Sequence, residues 1–243
     1  MNNLQILISY IATYIMLVPL CPALYKYNKI PPVLKFVSWY MVVVTIKQLL
    51  INISSYQEKN IFPPFHIGNV LEASALLLLF REIFRKYDEA KGIYVYRKIF
   101  IVLIALFVLF SVTNAVCWQP VTEYPTYTRT VLSIMVVFFC CLYFRKFSYE
   151  PHPKSWSEIP NYKASRVALF WIIMGLLLFY GFSLMRSLFI TKWLKSTPIE
   201  MFRDFETAHH IFIIMLYTFM LIGFIKAKRM NKKEFSGEGR YKL

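Results

Sequence analysis

A bundle of seven transmembrane α-helices, with the N-terminus outside and the C-terminus in the cytoplasm, is the all-α fold class predicted by this 243-residue sequence. Three observations lead there. First, apolar residues make up 58% of the chain, against about 45–50% in soluble domains, and they gather into uncharged runs such as Leu4–Tyr25, Ile99–Gln119 and Val167–Met185. Such a run reads as a membrane span, because about 20 residues at 1.5 Å rise cross a hydrocarbon layer about 30 Å thick. Second, Lys and Arg alternate between crowded and sparse connections. Third, every connection is short, so the chain has no room for a soluble domain.

The spans are expected near residues 4–25, 36–55, 65–84, 99–118, 127–145, 167–188 and 206–226. The first is expected to be a retained span and not a secretion signal: no basic residue precedes it, its apolar core is long, and "LVPLCPA" supplies no A-x-A cleavage site. The third is diluted by Gly68, Asn69 and Glu72. The fifth is the shortest, and its flanking Arg129, Arg145 and Lys146 are expected to snorkel towards the headgroups. Residues 1–228 thus form the transmembrane domain, and 229–243 a basic cytoplasmic tail.

The charge count orients the bundle. The connections Tyr25–Lys35, Arg81–Lys98, Arg145–Arg166 and the tail from Lys226 carry 3, 6, 5 and 7 basic residues, 21 together. The N-terminus and segments 52–64, 118–129 and 186–205 carry 6, with Lys47 inside a span. Cytoplasmic connections hold the excess of Lys and Arg, so the N-terminus is outside. The same placement accounts for the net charge of +15 without nucleic acid, for which no base-reading module is present. The partners implied are the lipid bilayer and, through the basic tail, anionic headgroups or a cytoplasmic protein. Cys21, Cys117, Cys140 and Cys141 show no zinc or redox spacing and read as small packed apolar side chains. His152, in "EPHPK", reads as a loop residue.

Polar residues within spans are costly, a central Lys or Asp by about 2.5–3.5 kcal/mol, and they usually face the bundle and pair. Lys47 and Glu72 lie at matched depth, about 10 Å in from the same side, on consecutive antiparallel helices. They are expected to pair, with Lys47→Met relieved by Glu72→Gln. Other polar residues collect on that side: Gln48, Asn52, His66, Asn69, Asn114, Trp118, Tyr180, Arg186, Glu206, His209 and His210. In the plainer reading they satisfy one another and orient the helices. In the sharper one, Lys47, Gln48, His66, Asn69, Glu72, Asn114, Arg186, Glu206, His209 and His210 line an outward-facing ligand pocket. A divalent metal is a narrower version, held by His66, Glu72, Glu206, His209 and His210. Glu206-x-x-His209 has the spacing used in di-iron bundles, but only one such motif is present. No cofactor is otherwise implied.

Seven-span families with sharper signatures do not fit. No lysine lies between Glu206 and Ile225 to carry retinal as in microbial rhodopsins, and span seven lacks the proline of G-protein-coupled receptors. The adjacent His209 and His210 are not the HxxxH pair of the alkaline ceramidase superfamily. "FHIGNVLEASALLLLFREIF" and "ETAHHIFIIMLYTFMLIGF" resemble small seven-span inner-membrane proteins of Bacteroidota, in which a His opens span three, a Glu follows six residues later, and a His opens span seven. The matching positions are His66, Glu72 and His209 or His210, with "LEAS" in place of "IEF". The resemblance implies this architecture and a bacterial inner membrane, and no activity. The leading expectation is a non-enzymatic sensor, binding protein or membrane accessory. A metal-dependent intramembrane hydrolase is the alternative, and a small-solute transporter the third.

Overall fold

The computed structural model describes residues 3–91, 95–149, 160–193 and 199–227. Within them all regular structure is helical: α1 Asn3–Tyr14, α2 Leu17–Tyr25, α3 Pro32–Tyr56, α4 Phe62–Lys91, α5 Val95–Thr113, α6 Thr126–Tyr149, α7 Pro160–Trp193 and α8 Ile199–Lys226. A short 3₁₀ turn follows α2, and a π-helical turn, Asn114–Trp118, finishes α5. The basic tail 229–243 and the loop bearing His152 lie outside the described residues.

α1 and α2 form one broken rod. Pro19 has no amide to give the Ile15 carbonyl and its ring crowds that group, so the first helix stops at Tyr14 and a new one starts at Leu17. Pro32 opens α3 at its first position, where a missing N–H costs nothing. Before α4, the Asn60 side chain accepts the Phe62 amide at 2.8 Å, and Pro63 and Pro64 fall in the first turn.

Among the described residues six rods are long and apolar enough to cross a membrane: 3–25, 32–56, 98–118, 126–146, 166–188 and 203–226. The chain is therefore a multi-pass helical membrane protein. Seven spans are expected from the sequence, and composition supports six. The difference is α4, which at 30 residues is long enough but carries His66, Asn69 and Glu72 towards one end and "REIFRKYDEAK" at the other. Large apolar side chains that point outward on the other rods, among them Leu7, Ile46, Leu50, Leu109, Phe138 and Ile225, supply the surface that lipid covers.

Packing places α4 at the heart of the bundle, against α3, α5 and α6. From α6 the chain continues through α7 to α8, which packs back on α1 and α2, while α2 meets α3. The half of the bundle distant from the N-terminus is apolar. There Phe80 and Phe84 meet Phe100 and Phe139, and Leu34, Leu76, Ile172, Met220 and Phe224 are fully enclosed. α7 and α8 approach closely because Gly223 lies under Ile172; a Cβ there would stand 2.7 Å from Ile172 Cγ1 and 2.9 Å from the Ala168 carbonyl. Small residues permit such backbone contact between membrane helices. Of the cysteines, Cys140 is enclosed as expected, but Cys21, Cys117 and Cys141 are exposed on the apolar exterior, so packing explains one of the four.

Candidate functional site

Glu72 sits ten residues into α4, about 15 Å along the helix from Phe62, and is 2% exposed. The expected ion pair with Lys47 of α3 is present, Lys47 Nζ donating to Oε2. Lys47 reaches it because Gly68 leaves a channel for its stem: a Cβ at Gly68 would stand 2.2 Å from Lys47 Cδ. The other carboxylate oxygen is also occupied. Arg129 Nη1 of α6 donates to Oε1 at 2.9 Å, and the Tyr180 hydroxyl of α7 donates to the same atom. Tyr40 of α3 stands behind it, its hydroxyl 3.4 Å from that of Tyr180.

Arg129 corrects the sequence reading. Expected to snorkel outward, it turns inward and is 7% exposed. Its Nε donates to Ser183 at 3.2 Å, and its guanidinium carbon lies 5.2 Å and 5.5 Å from the ring centroids of Tyr180 and Phe179. A buried carboxylate, two aromatic faces and a hydroxyl hold the guanidinium better than a headgroup could, because charge and ring attractions strengthen where water is excluded. One buried carboxylate thus joins α3, α4, α6 and α7.

A second ion pair lies nearer the end of the bundle, where Arg186 of α7 donates through Nε at 3.0 Å and through Nη2 to Glu206 Oε1 of α8. Between the two pairs is a cavity of about 260 Å³, lined by Lys47, Gln48, Asn69, Glu72, Arg129, Arg186, Glu206, His209 and His210. Thr13 and Met16 of the first rod and Tyr124 of the loop after α5 also reach it. The apolar part of its wall includes Val44, Phe179, Ile213 and Leu216. A groove of about 400 Å³ beside α1, lined by Ile6, Tyr10, Tyr14 and Asn52, shares Thr13 with this cavity.

Eight of the ten residues expected to form a pocket border this space; the other two do not. His66 Nε2 is 2.9 Å from the Glu123 carbonyl, and Asn60 Nδ2 donates to the Thr122 carbonyl at 3.1 Å. Together they tie the turn before α4 to the loop after α5, with Phe65 edge-on to Tyr124 at 5.4 Å. Asn114 is wholly enclosed and donates to Thr128 Oγ1 of α6 at 3.1 Å, fixing the π-helical end of α5. Gln48 donates to Asn52 at 3.1 Å.

Two cavity residues have fully buried polar atoms without a partner. Asn69 is 1% exposed, and neither its Oδ1 nor its Nδ2 has a partner. His209 lies between Phe179 and Phe182, ring centroids at 5.5 Å and 6.2 Å, with a buried and unpartnered Nδ1. The metal arrangement is a different matter. Among the described residues no three His, Cys, Asp or Glu side chains come together to hold a metal ion. His66 faces a loop carbonyl, Glu72 is spent on two cations and a phenol, and Glu206 is spent on Arg186. The donors proposed from sequence are therefore dispersed.

Tyr40 and Tyr217, both buried, line the cavity, and the buried Tyr180 donates to Glu72 beside it. Of these, Tyr40 and Tyr217 carry no sequence signal that separates them from packing aromatics. Arg129 does carry one: it is the only basic residue between Lys98 and Arg145. Comparison with known protein families, with curated protein sequences and with solved structures returned no match.

Proposed function

We propose that this chain is a seven-span protein of a bacterial inner membrane, N-terminus outside, whose outer end carries a binding pocket for a small polar molecule, used for sensing or as a membrane accessory rather than for catalysis. The observation that carries this reading is the cavity itself. It draws side chains from the first rod and from α3, α4, α6, α7 and α8, and it contains a buried amide with nothing to bond. Buried polar groups are normally satisfied, so a fully enclosed Asn69 with both amide atoms idle suits a site built to receive a ligand.

α4 serves as the seventh crossing in this reading. Its length suffices, and its one mid-helix carboxylate is neutralised inside the bundle, which removes most of the cost of placing it in lipid. The orientation rests on the distribution of Lys and Arg. The tail 229–243 is assigned to the cytoplasmic headgroup layer, where a protein partner could also dock. Among the described residues no gathered donor set supports the metal-hydrolase alternative.

Accessibility tests the pocket. With Cys21, Cys117 and Cys141 replaced by Ser, a Gln48→Cys variant in intact cells should react with a membrane-impermeant, negatively charged methanethiosulfonate added outside. Labelling seen only when the reagent reaches the cytoplasmic side would contradict an outward-facing pocket.

A further inference from the structure

The cavity is short of one negative charge. Its lining holds three cations, Lys47, Arg129 and Arg186, against two carboxylates, Glu72 and Glu206. Arg186 and Glu206 form a one-to-one pair, whereas Glu72 alone answers both Lys47 and Arg129. Glu123, next to Tyr124 of the lining, and Asp204, two residues before Glu206, are both exposed. An uncompensated charge is expensive away from water, and more so in a bundle surrounded by lipid.

The donors around Glu72 are also underused. Lys47 spends one of its three N–H groups, and Arg129 spends Nε and Nη1 while Nη2 has no protein partner. Asn69 lies one helical turn before Glu72 on the same face of α4, where residues three apart are neighbours, and its amide is idle. A positive excess, a free guanidinium edge and an unpartnered amide converge on one cavity, part of whose wall, Val44, Phe179, Ile213 and Leu216, is apolar.

We propose, resting on the reading of this cavity as a binding pocket, that its ligand is a small organic monocarboxylate. The carboxylate is held by Lys47, Arg129 Nη2 and the Asn69 amide, and the apolar body lies against Val44, Phe179 and Ile213. A single negative charge balances the site. A cation adds to the excess, a neutral polar solute leaves it in place, and a bare halide leaves the apolar wall unused.

The test uses the purified full chain in lipid nanodiscs, followed by its thermal unfolding midpoint at constant ionic strength with potassium sulfate as the background. Acetate, hexanoate and benzoate are titrated in parallel with chloride and with neutral benzamide. At least one carboxylate is expected to raise the midpoint saturably, with chloride and benzamide ineffective. Lys47→Met, which leaves Glu72 and Arg129 as a balanced pair, is expected to weaken that response about tenfold or more, as loss of a charged hydrogen-bonding partner does. Asn69→Leu gives up no protein hydrogen bond, so it should fold; it is expected to melt higher without ligand and to respond less to carboxylate. Benzamide acting as well as benzoate would overturn the anion while leaving the pocket standing. Chloride alone acting would overturn the organic ligand. No response to any solute, or variants that respond like wild type, would overturn the proposal, and the former would take the binding-pocket reading with it.

Discussion

At Glu72 the order of side-chain losses is set by how many cations one carboxylate serves. Removing its charge leaves Lys47 and Arg129 facing each other in a buried site, and breaking a buried pair by deleting one partner costs about 3–5 kcal/mol. Glu72→Gln is therefore expected to be the most damaging single change in the cluster, measured by thermal or denaturant unfolding in nanodiscs. Lys47→Met should cost much less, because Arg129 remains paired with Glu72 at 2.9 Å. This reverses the expectation from sequence. With only Lys47 and Glu72 in view, Glu72→Gln should relieve Lys47→Met; with Arg129 present, the double variant strands a guanidinium and should be worse than Lys47→Met alone. Recovery by the double variant would show that Arg129 draws little from Glu72. The pair itself was legible because matched depth on consecutive antiparallel helices needs only counting along the chain. Arg129 was not, because an arginine at a span end can turn either way, and its partner lies 57 residues back in the sequence.

Helices here are positioned by where backbone comes close, and two glycines mark the places. Gly68→Ala would set a methyl 2.2 Å from Lys47 Cδ, so the lysine stem must leave its channel. Overpacking of this kind costs about 1–3 kcal/mol. The loss should shrink in Gly68→Ala with Lys47→Ala, where the obstructing stem is gone; strictly additive losses would place the strain elsewhere. On the α7–α8 contact, Gly223→Val should lower the unfolding midpoint, whereas Gly181→Ala, with nothing within 4 Å of the added methyl, should leave it nearly unchanged. Helix boundaries were close to legible from apolar runs: the expected 36–55 is α3 at Pro32–Tyr56, and the expected 206–226 is α8 at Ile199–Lys226. The break after Tyr14 follows from Pro19. The inward facing of Asn69 and the loop-ward facing of His66 did not follow, because the two lie three residues apart on α4 and periodicity alone lets them share a face. The Glu123 carbonyl decides between them, and a loop that distant in sequence leaves no trace in the periodicity of α4.

Across the whole molecule, polarity is divided lengthwise. One half has a core of aromatic and aliphatic side chains; the other, at the end bearing the N-terminus, holds the ion pairs of Glu72 and Glu206, an idle amide and a cavity. The two ends of the chain answer a single question about that plan, namely whether α4 crosses. Among the described residues six rods qualify by length and apolarity, and α4 is proposed to cross as well because neighbours neutralise its carboxylate. In the proposed seven-span topology an odd number of crossings puts the termini on opposite sides and the cavity at the outer surface, the arrangement expected from the distribution of Lys and Arg. The most direct measurement is compartment-specific reporter activity from full-length fusions at each terminus, using green fluorescent protein and alkaline phosphatase in turn. Seven crossings predict a periplasmic N-terminus, active with phosphatase and dark with the fluorescent protein, and the reverse at the C-terminus. Both termini reporting the same compartment would contradict it, removing α4 from the membrane and the binding cavity from the outer face.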